Sequence, residues 1–478
     1  ENVLLALSGG AIGVSLAYGA VEWLVTFRKD IPRVDAIHID AAVLFFALFI
    51  TLLSGIGPGL LSMSGAIGAR LLQTLQETSR SQGAHSRAAL RKVLLATEVG
   101  LTVALLISAG LLLKSYERLR SIDLGCATHN VMTMRVNLPK PGYADSGKRV
   151  AFFEQLLSGV RSLPGVLAAG IGLAVPGQGY IGDDSFSIAE HPPLPPGQGF
   201  VAIRRAADPG YFTAMGIPLL RGRTFTDAER LDRATSIIIS ESLAKKFFPN
   251  EDPLGKHMRV NITNHEISYE VVGIVRDTRF RLERSAAPTM YLPLYSGLFG
   301  RATIVLRSNQ DPIGLALPVQ KLIAQIDAEL PVSDVLTMDQ IIGNETLNAS
   351  FDADLVLAFA TLSLLLAAVG LYGVLSYLVT QRTGEIGVRV ALGAQRAQVL
   401  RLMLVDGLRP AALGLFAGLA AGVGAGRLIR NLLYGVRPLD PAVYVAVAAL
   451  LILTAAGACL QPAWRASRLN PVEALRTE

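Results

Sequence analysis

Four features of this chain have residue types and spacings that could do chemistry, and none meets the full requirement of that chemistry. Gly142-Tyr-Ala-Asp-Ser-Gly147-Lys148-Arg149 has the spacing of a phosphate-binding loop, but Arg149 stands where a Ser or Thr must hold magnesium. Gly177-Gln-Gly179-Tyr-Ile-Gly182 matches a dinucleotide fingerprint, yet Asp183, Asp184 and a Pro-rich stretch follow it instead of a helix. Ser242-Leu-Ala-Lys245 has the spacing of a nucleophilic serine and its lysine, without the companion motifs such an enzyme needs. The six histidines, His38, His85, His129, His191, His257 and His265, are scattered without metal-ligand spacing. No catalytic residue, cofactor or metal is therefore expected.

Two further features belong to a membrane setting. Glu98 lies six residues into an apolar run, where an ionisable group is either functional or close enough to the span end to reach water. The segment 381–402 pairs Glu385 with Arg389 at helical spacing and offers Ile386, Val390 and Leu392 as an apolar stripe, with Gly393 placed to end or bend the helix. Such a stiff, two-faced helix suits coupling to a soluble partner; it equally suits lying on lipid headgroups.

The elements that position these residues follow from hydropathy. Hydrophobic residues make up 51% of the chain and charged ones only 17%, which excludes an ordinary soluble domain. Six apolar runs are about long enough to span a bilayer: 3–25, 41–61, 93–113, 355–379, 408–429 and 444–460. Loop 64–92 holds five basic residues against one acid, and 380–401 holds Arg382, Arg389, Arg396 and Arg401 against Glu385. With the C-terminus, these segments are placed in the cytoplasm, leaving 26–40, 114–350 and 430–441 outside. The net charge of +6 is accounted for at span ends and does not call for nucleic acid. Cys126 and Cys459 are not expected to pair.

Gly9 and Gly13 recur as Gly414 and Gly418, and Asp35 as Asp440, at one common offset, which points to an internal duplication. Both Gly-x-x-x-Gly pairs are expected to admit a close helix neighbour. The chain opens on Glu1 directly into an apolar run, without a basic region or cleavage site, and is expected to be a fragment of a longer protein whose first repeat is truncated.

The expected organisation is 1–63, the last two spans of a first repeat; 64–92, a cytoplasmic linker; 93–113, the first span of a second repeat; 114–350, an external α+β domain; and 351–478, three spans and a tail. Within the external domain, two strand–helix–strand halves, 131–175 and 303–337, predict a split ferredoxin-like layer around a mixed insertion at about 177–300.

Glu385-Ile-Gly-Val-Arg-Val-Ala-Leu-Gly-Ala394 and Pro462-Ala-Trp-Arg-Ala-Ser-Arg-Leu-Asn-Pro-Val-Glu-Ala-Leu475 resemble the FtsX-like permease domain of MacB-type ABC transporters. Pro209-Gly-Tyr-Phe-Thr-Ala-Met-Gly-Ile-Pro-Leu-Leu-Arg-Gly-Arg223, Asp252-Pro-Leu-Gly-Lys256 and Tyr269-Glu-Val-Val-Gly-Ile-Val275 are similar to the family's periplasmic core. The resemblance implies a duplicated permease of the bacterial inner membrane with a large periplasmic domain and no ATPase of its own. A separate cytoplasmic ABC ATPase would act through Glu385, Arg389, Leu392 and Gly393 to drive export or extraction, with a periplasmic or outer-membrane partner as a further expectation. The alternative is a non-transporting scaffold that relays force or signal to a periplasmic partner. Residues 59–77, after Pro58, lack the Arg-Ala-Ser-Arg pattern that follows Pro462, so the two copies are not expected to engage a partner equally.

Overall fold

The computed structural model describes residues 2–27, 38–72, 80–178, 182–193, 195, 198–226, 229, 235–262, 265–282, 285–294, 301–381 and 395–467. Glu385, Arg389, Leu392 and Gly393, the residues expected to couple to an ATPase, lie outside the described residues, as does Asp35.

The chain begins with α1 (Asn2–Phe27), α2 (Ala41–Leu72) and α3 (Arg80–Arg120), then β1 (Val131–Asn137), α4 (Lys140–Tyr143), α5 (Ser146–Arg161) and β2 (Val166–Gly172). β3 (Asp183–Ile188), β4 (Phe200–Ala207), α6 (Pro209–Ala214), β5 (Leu219–Gly222), β6 (Ser236–Ser240), α7 (Glu241–Phe247), β7 (His257–Ile262) and β8 (His265–Val275) follow. β9 (Thr289–Pro293), β10 (Arg301–Ser308), α8 (Ala316–Ile326) and β11 (Val332–Thr337) complete the strands; α9 (Met338–Gln381), α10 (Arg396–Leu428) and α11 (Pro441–Ser467) end the chain. Two compact units result, one of residues 1–117 with 347–478 and one of 118–346.

Among the described residues of the first unit and its bordering helices, five segments are long and apolar enough to cross a membrane: Val3–Trp23, Arg91–Arg120, Met338–Gln381, Leu408–Leu428 and Pro441–Pro462. The expected sixth span falls on α2, where Ala41–Ile56 forms a shorter apolar stretch. α3 forms the core of this unit. Its Leu95, Val99, Val103, Ile107 and Leu111 are buried against Ala360 and Ala367 of α9, Ala411 of α10 and Val443, Val447 and Leu451 of α11. The outward faces stay apolar, with Phe45, Phe46, Leu366, Phe416 and Leu453 exposed, as a lipid solvent permits and water would not.

In the 118–346 unit, β1, α5, β2 and β10, α8, β11 form the two strand–helix–strand halves. Their strands lie in the order β11-β1-β10-β2, every neighbouring pair antiparallel. Asp145 caps α5 by accepting from Gly147 N at 2.6 Å, and the helix buries Phe152, Phe153, Leu156, Leu157 and Val160 at helical spacing. Val319 and Ile323 of α8 join the same core. Gly170 of β2 is required by packing: a Cβ there would meet Tyr211 N of α6 at 2.2 Å.

The insertion is a closed ring of six strands in the order β4-β3-β7-β8-β6-β9. It closes where β9 pairs in parallel with β4, Tyr291 opposite Arg205. β7 alternates exposed and buried residues, with Met258, Val260 and Ile262 inside. β6 and β9 are buried along their whole length. β2 and β4 pair at Gly172 with Ala207, and Leu173 N donates to Ala206 O beside it, joining the ring to the four-stranded layer.

Candidate functional site

Small residues bring the helices of the first unit together. A Cβ on Gly414 would meet Ala96 O at 2.6 Å and Val99 Cβ at 2.7 Å; on Gly418 it would meet Gly100 O and Val103 Cβ, each at 2.6 Å. One turn on, a Cβ on Gly422 would meet Ile107 Cδ1 at 2.4 Å. α10 thus lies against the backbone of α3 along a glycine seam. For Gly9 and Gly13 no described atom lies within 4 Å of a Cβ built on either, so the expected close neighbour is not found among the described residues. The helix turns Gly10 towards α2 instead, where its Cβ would touch Thr51 Cγ2 at 2.6 Å.

Polar contacts hold α3 at two heights, Thr102 and the adjacent Lys114 and Ser115. Thr102 Oγ1 shares a hydrogen bond with Ser363 Oγ of α9 at 2.6 Å. Lys114 Nζ pairs with Asp440 Oδ2 at 2.6 Å, and the bond holds the Asp440 carboxyl below its ordinary value against the opposing effect of burial. Tyr434 N donates to Ser115 Oγ at 2.7 Å. Glu98 is partly buried, with its Oε2 3.0 Å from the Cβ position of Gly370 on α9. Sequence reasoning picked out Asp440 by its repeat offset alone. The Lys114 and Ser363 contacts had no signal in spacing, because their partners are far apart in the chain.

The motifs set aside above have structural explanations in the 118–346 unit. Asp145 occupies the N-terminus of α5, and Arg149 Nη1 donates to Tyr143 O at 2.6 Å, so the loop at 142–149 closes on itself. Lys245 pairs with Glu241 at 2.5 Å; that bond raises its pKa and keeps it protonated, the reverse of what a lysine base needs. His191 meets Glu251 Oε1 at 2.5 Å, and His257 meets Glu190 Oε1 at 3.0 Å. Among the described residues no group of three or more His, Cys, Asp or Glu could hold a metal ion.

One cleft of about 360 Å3 opens on the strand ring, lined by Asp183, Ile203, Thr278, Phe280, Arg281 and Pro288 among others. Behind it the Arg205 guanidinium, fully buried, stacks 3.9 Å over the Phe280 ring. Burial raises the Asp184 carboxyl beside this cleft, and Arg204 at 2.9 Å pulls the other way without cancelling the rise. Cys126 is a half-buried free thiol pushed up to about 12 by burial and by Asp123, which favours its protonated form.

The FtsX-like permease C-terminal model matches residues 357–471, over α9 to α11, and the MacB-like periplasmic core domain model matches 195–330. This chain belongs to the FtsX-like and MacB-like family of ABC transporter permeases. The permease is 25% identical over 282 residues to the macrolide export ATP-binding/permease protein MacB of Mannheimia succiniciproducens, covering 56% of this chain and 42% of that protein. It is 25% identical over 276 residues to the uncharacterized ABC transporter permease YknZ of Bacillus subtilis, covering 56% of this chain and 68% of that one. The periplasmic region of MacB from Actinobacillus actinomycetemcomitans aligns with 45% of this chain and 92% of that one, at 17% identity and a TM-score of 0.31. The permease therefore spans less than half the length of its MacB relative, and its matches fall on the permease part.

Proposed function

We propose that this chain is the permease subunit of a MacB/FtsX-type ABC transporter in a bacterial inner membrane. ATP hydrolysis by a separate cytoplasmic ABC ATPase would drive movements of the 118–346 unit on the periplasmic side, for export or extraction of a substrate. The observation that carries the reading is the order of the two family matches: the periplasmic core match lies within the segment between α3 and α9, and the permease match covers the helices after it. The basic loops 64–92 and 380–401 support the orientation by the positive-inside rule. The antiparallel order β11-β1-β10-β2 supports a ferredoxin-like reading of the four-stranded layer.

Contact with the ATPase is assigned to Glu385, Arg389, Leu392 and Gly393, on the charged segment between α9 and α10, the first and second helices of the permease match. The test is the double substitution Glu385→Ala with Arg389→Ala in the full-length protein, assayed with its ATPase. Membrane insertion is expected to be unchanged and ATP hydrolysis to lose its coupling to the permease. Full coupling in the double variant would overturn the assignment of this segment.

A further inference from the structure

We infer that the groove between α3 and α9 at Arg91, Lys92 and Tyr377 holds the phosphate of an anionic phospholipid. The cavity is about 320 Å3, and Gly370, Gly373 and Gln381 line it beside those three residues. Arg91 stacks its guanidinium 4.3 Å over the Tyr377 ring, which fixes its plane and leaves the N–H edge available to oxygen acceptors. Lys92 is adjacent, and no described carboxylate pairs with either cation.

The two ends of α3 differ in this respect. Lys92 and Lys114 are separated by about 33 Å of helix, close to the thickness of a bilayer's hydrocarbon core. Lys114 is neutralised within the chain by Asp440 at 2.6 Å. At the other end the positive charge of Arg91 and Lys92 has no such partner among the described residues, and it sits at headgroup level. Glu98 does not supply it, being about 10 Å further along the helix.

The walls decide for a lipid over a free anion. Val374 and Leu378 line the groove, and it borders apolar faces open to the membrane, with Leu94 and Leu101 of α3 and Leu366 and Val369 of α9 exposed. A phosphate between the two cations would place acyl chains along these faces.

The experiment uses the full-length protein, stripped of lipid in mild detergent and titrated with phosphatidylglycerol or phosphatidylcholine of matched chains, with native mass spectrometry as the readout. The wild type is expected to prefer phosphatidylglycerol, and Arg91→Gln with Lys92→Gln to weaken its binding by roughly 30-fold. Gly373→Leu keeps both charges but fills the groove, because a Cβ there meets nothing within 4 Å, and is expected to lose the preference as well. Equal retention of both lipids by the wild type would overturn the inference. So would undiminished phosphatidylglycerol binding by Gly373→Leu, which would mean diffuse surface attraction. Displacement of the lipid by inorganic phosphate would make the groove a free-anion site and overturn it too.

Discussion

The two units of this permease solve the same problem, holding segments distant in sequence close together, with different chemistry. In the membrane unit the close approach of α10 to α3 is made by absent side chains at Gly414, Gly418 and Gly422, with the Thr102–Ser363 bond as the buried polar link to α9. In the 118–346 unit, ladders of strand pairs do this work, and carboxylates tie down the loops. Glu229 accepts from Thr226 N at 2.5 Å, Arg223 Nη1 at 2.7 Å and Ser236 Oγ at 2.9 Å, linking residues 223 and 226 to the first residue of β6. The contrast follows from the solvent. Lipid offers no hydrophobic gain for joining helices, so shape must supply the contact; water rewards apolar burial, and hydrogen bonds then set the register of what is buried.

The contrast can be broken first at the glycine seam. Gly418→Leu forces α10 off α3 and is expected to destabilise the membrane unit by about 3 kcal/mol or more, read as a lowered Tm in detergent. In the other unit, Glu229→Ala is expected to cost about 2 kcal/mol by stranding its donors, read by chemical unfolding of the full chain. The pH dependence gives the same residue a signature. Burial pushes the Glu229 carboxyl up, but its hydrogen bonds with Thr226, Arg223 and Ser236 outweigh that and bring it from 4.5 down to about 2. Because the folded value is depressed, its stabilisation is complete above about pH 4.5 and is lost as the pH falls towards 2; the Ala variant should lack this part of the acid slope. A smaller effect, about 0.6 kcal/mol, is expected when Thr102→Val and Ser363→Ala remove the interhelical bond. Gly13→Leu sharpens the comparison most finely. It is the repeat counterpart of Gly418, yet its Cβ meets no described atom, so stability should stay within about 0.5 kcal/mol of wild type.

Local pattern made part of this architecture legible. The stripe Phe153, Leu156, Leu157 and Val160 marks α5, because that helix buries one face, and the β-branched and apolar runs at 131 and 332 mark β1 and β11. Ring closure was not legible: β4 and β9 pair residues more than eighty positions apart, and no local period encodes that. Nor does a Gly-x-x-x-Gly spacing say which way a helix is rotated. Gly10, one residue away from the expected Gly9, is the position that meets α2, a difference of about 100° around the helix axis. The cations at Arg91 and Lys92 read from sequence as ordinary residues at a span end. Their meaning depends on Gly370, Gly373 and Tyr377, which only folding brings beside them.

Whether a separate ATPase powers this permease can be read by affinity purification of the full-length protein from native membranes, with mass spectrometry of what accompanies it. A powered permease should bring with it an ABC ATPase subunit in stoichiometric amount, lost when Glu385 and Arg389 are both replaced by alanine. Recovery of a periplasmic or envelope protein with no ATPase would contradict that proposal and make the chain an unpowered scaffold.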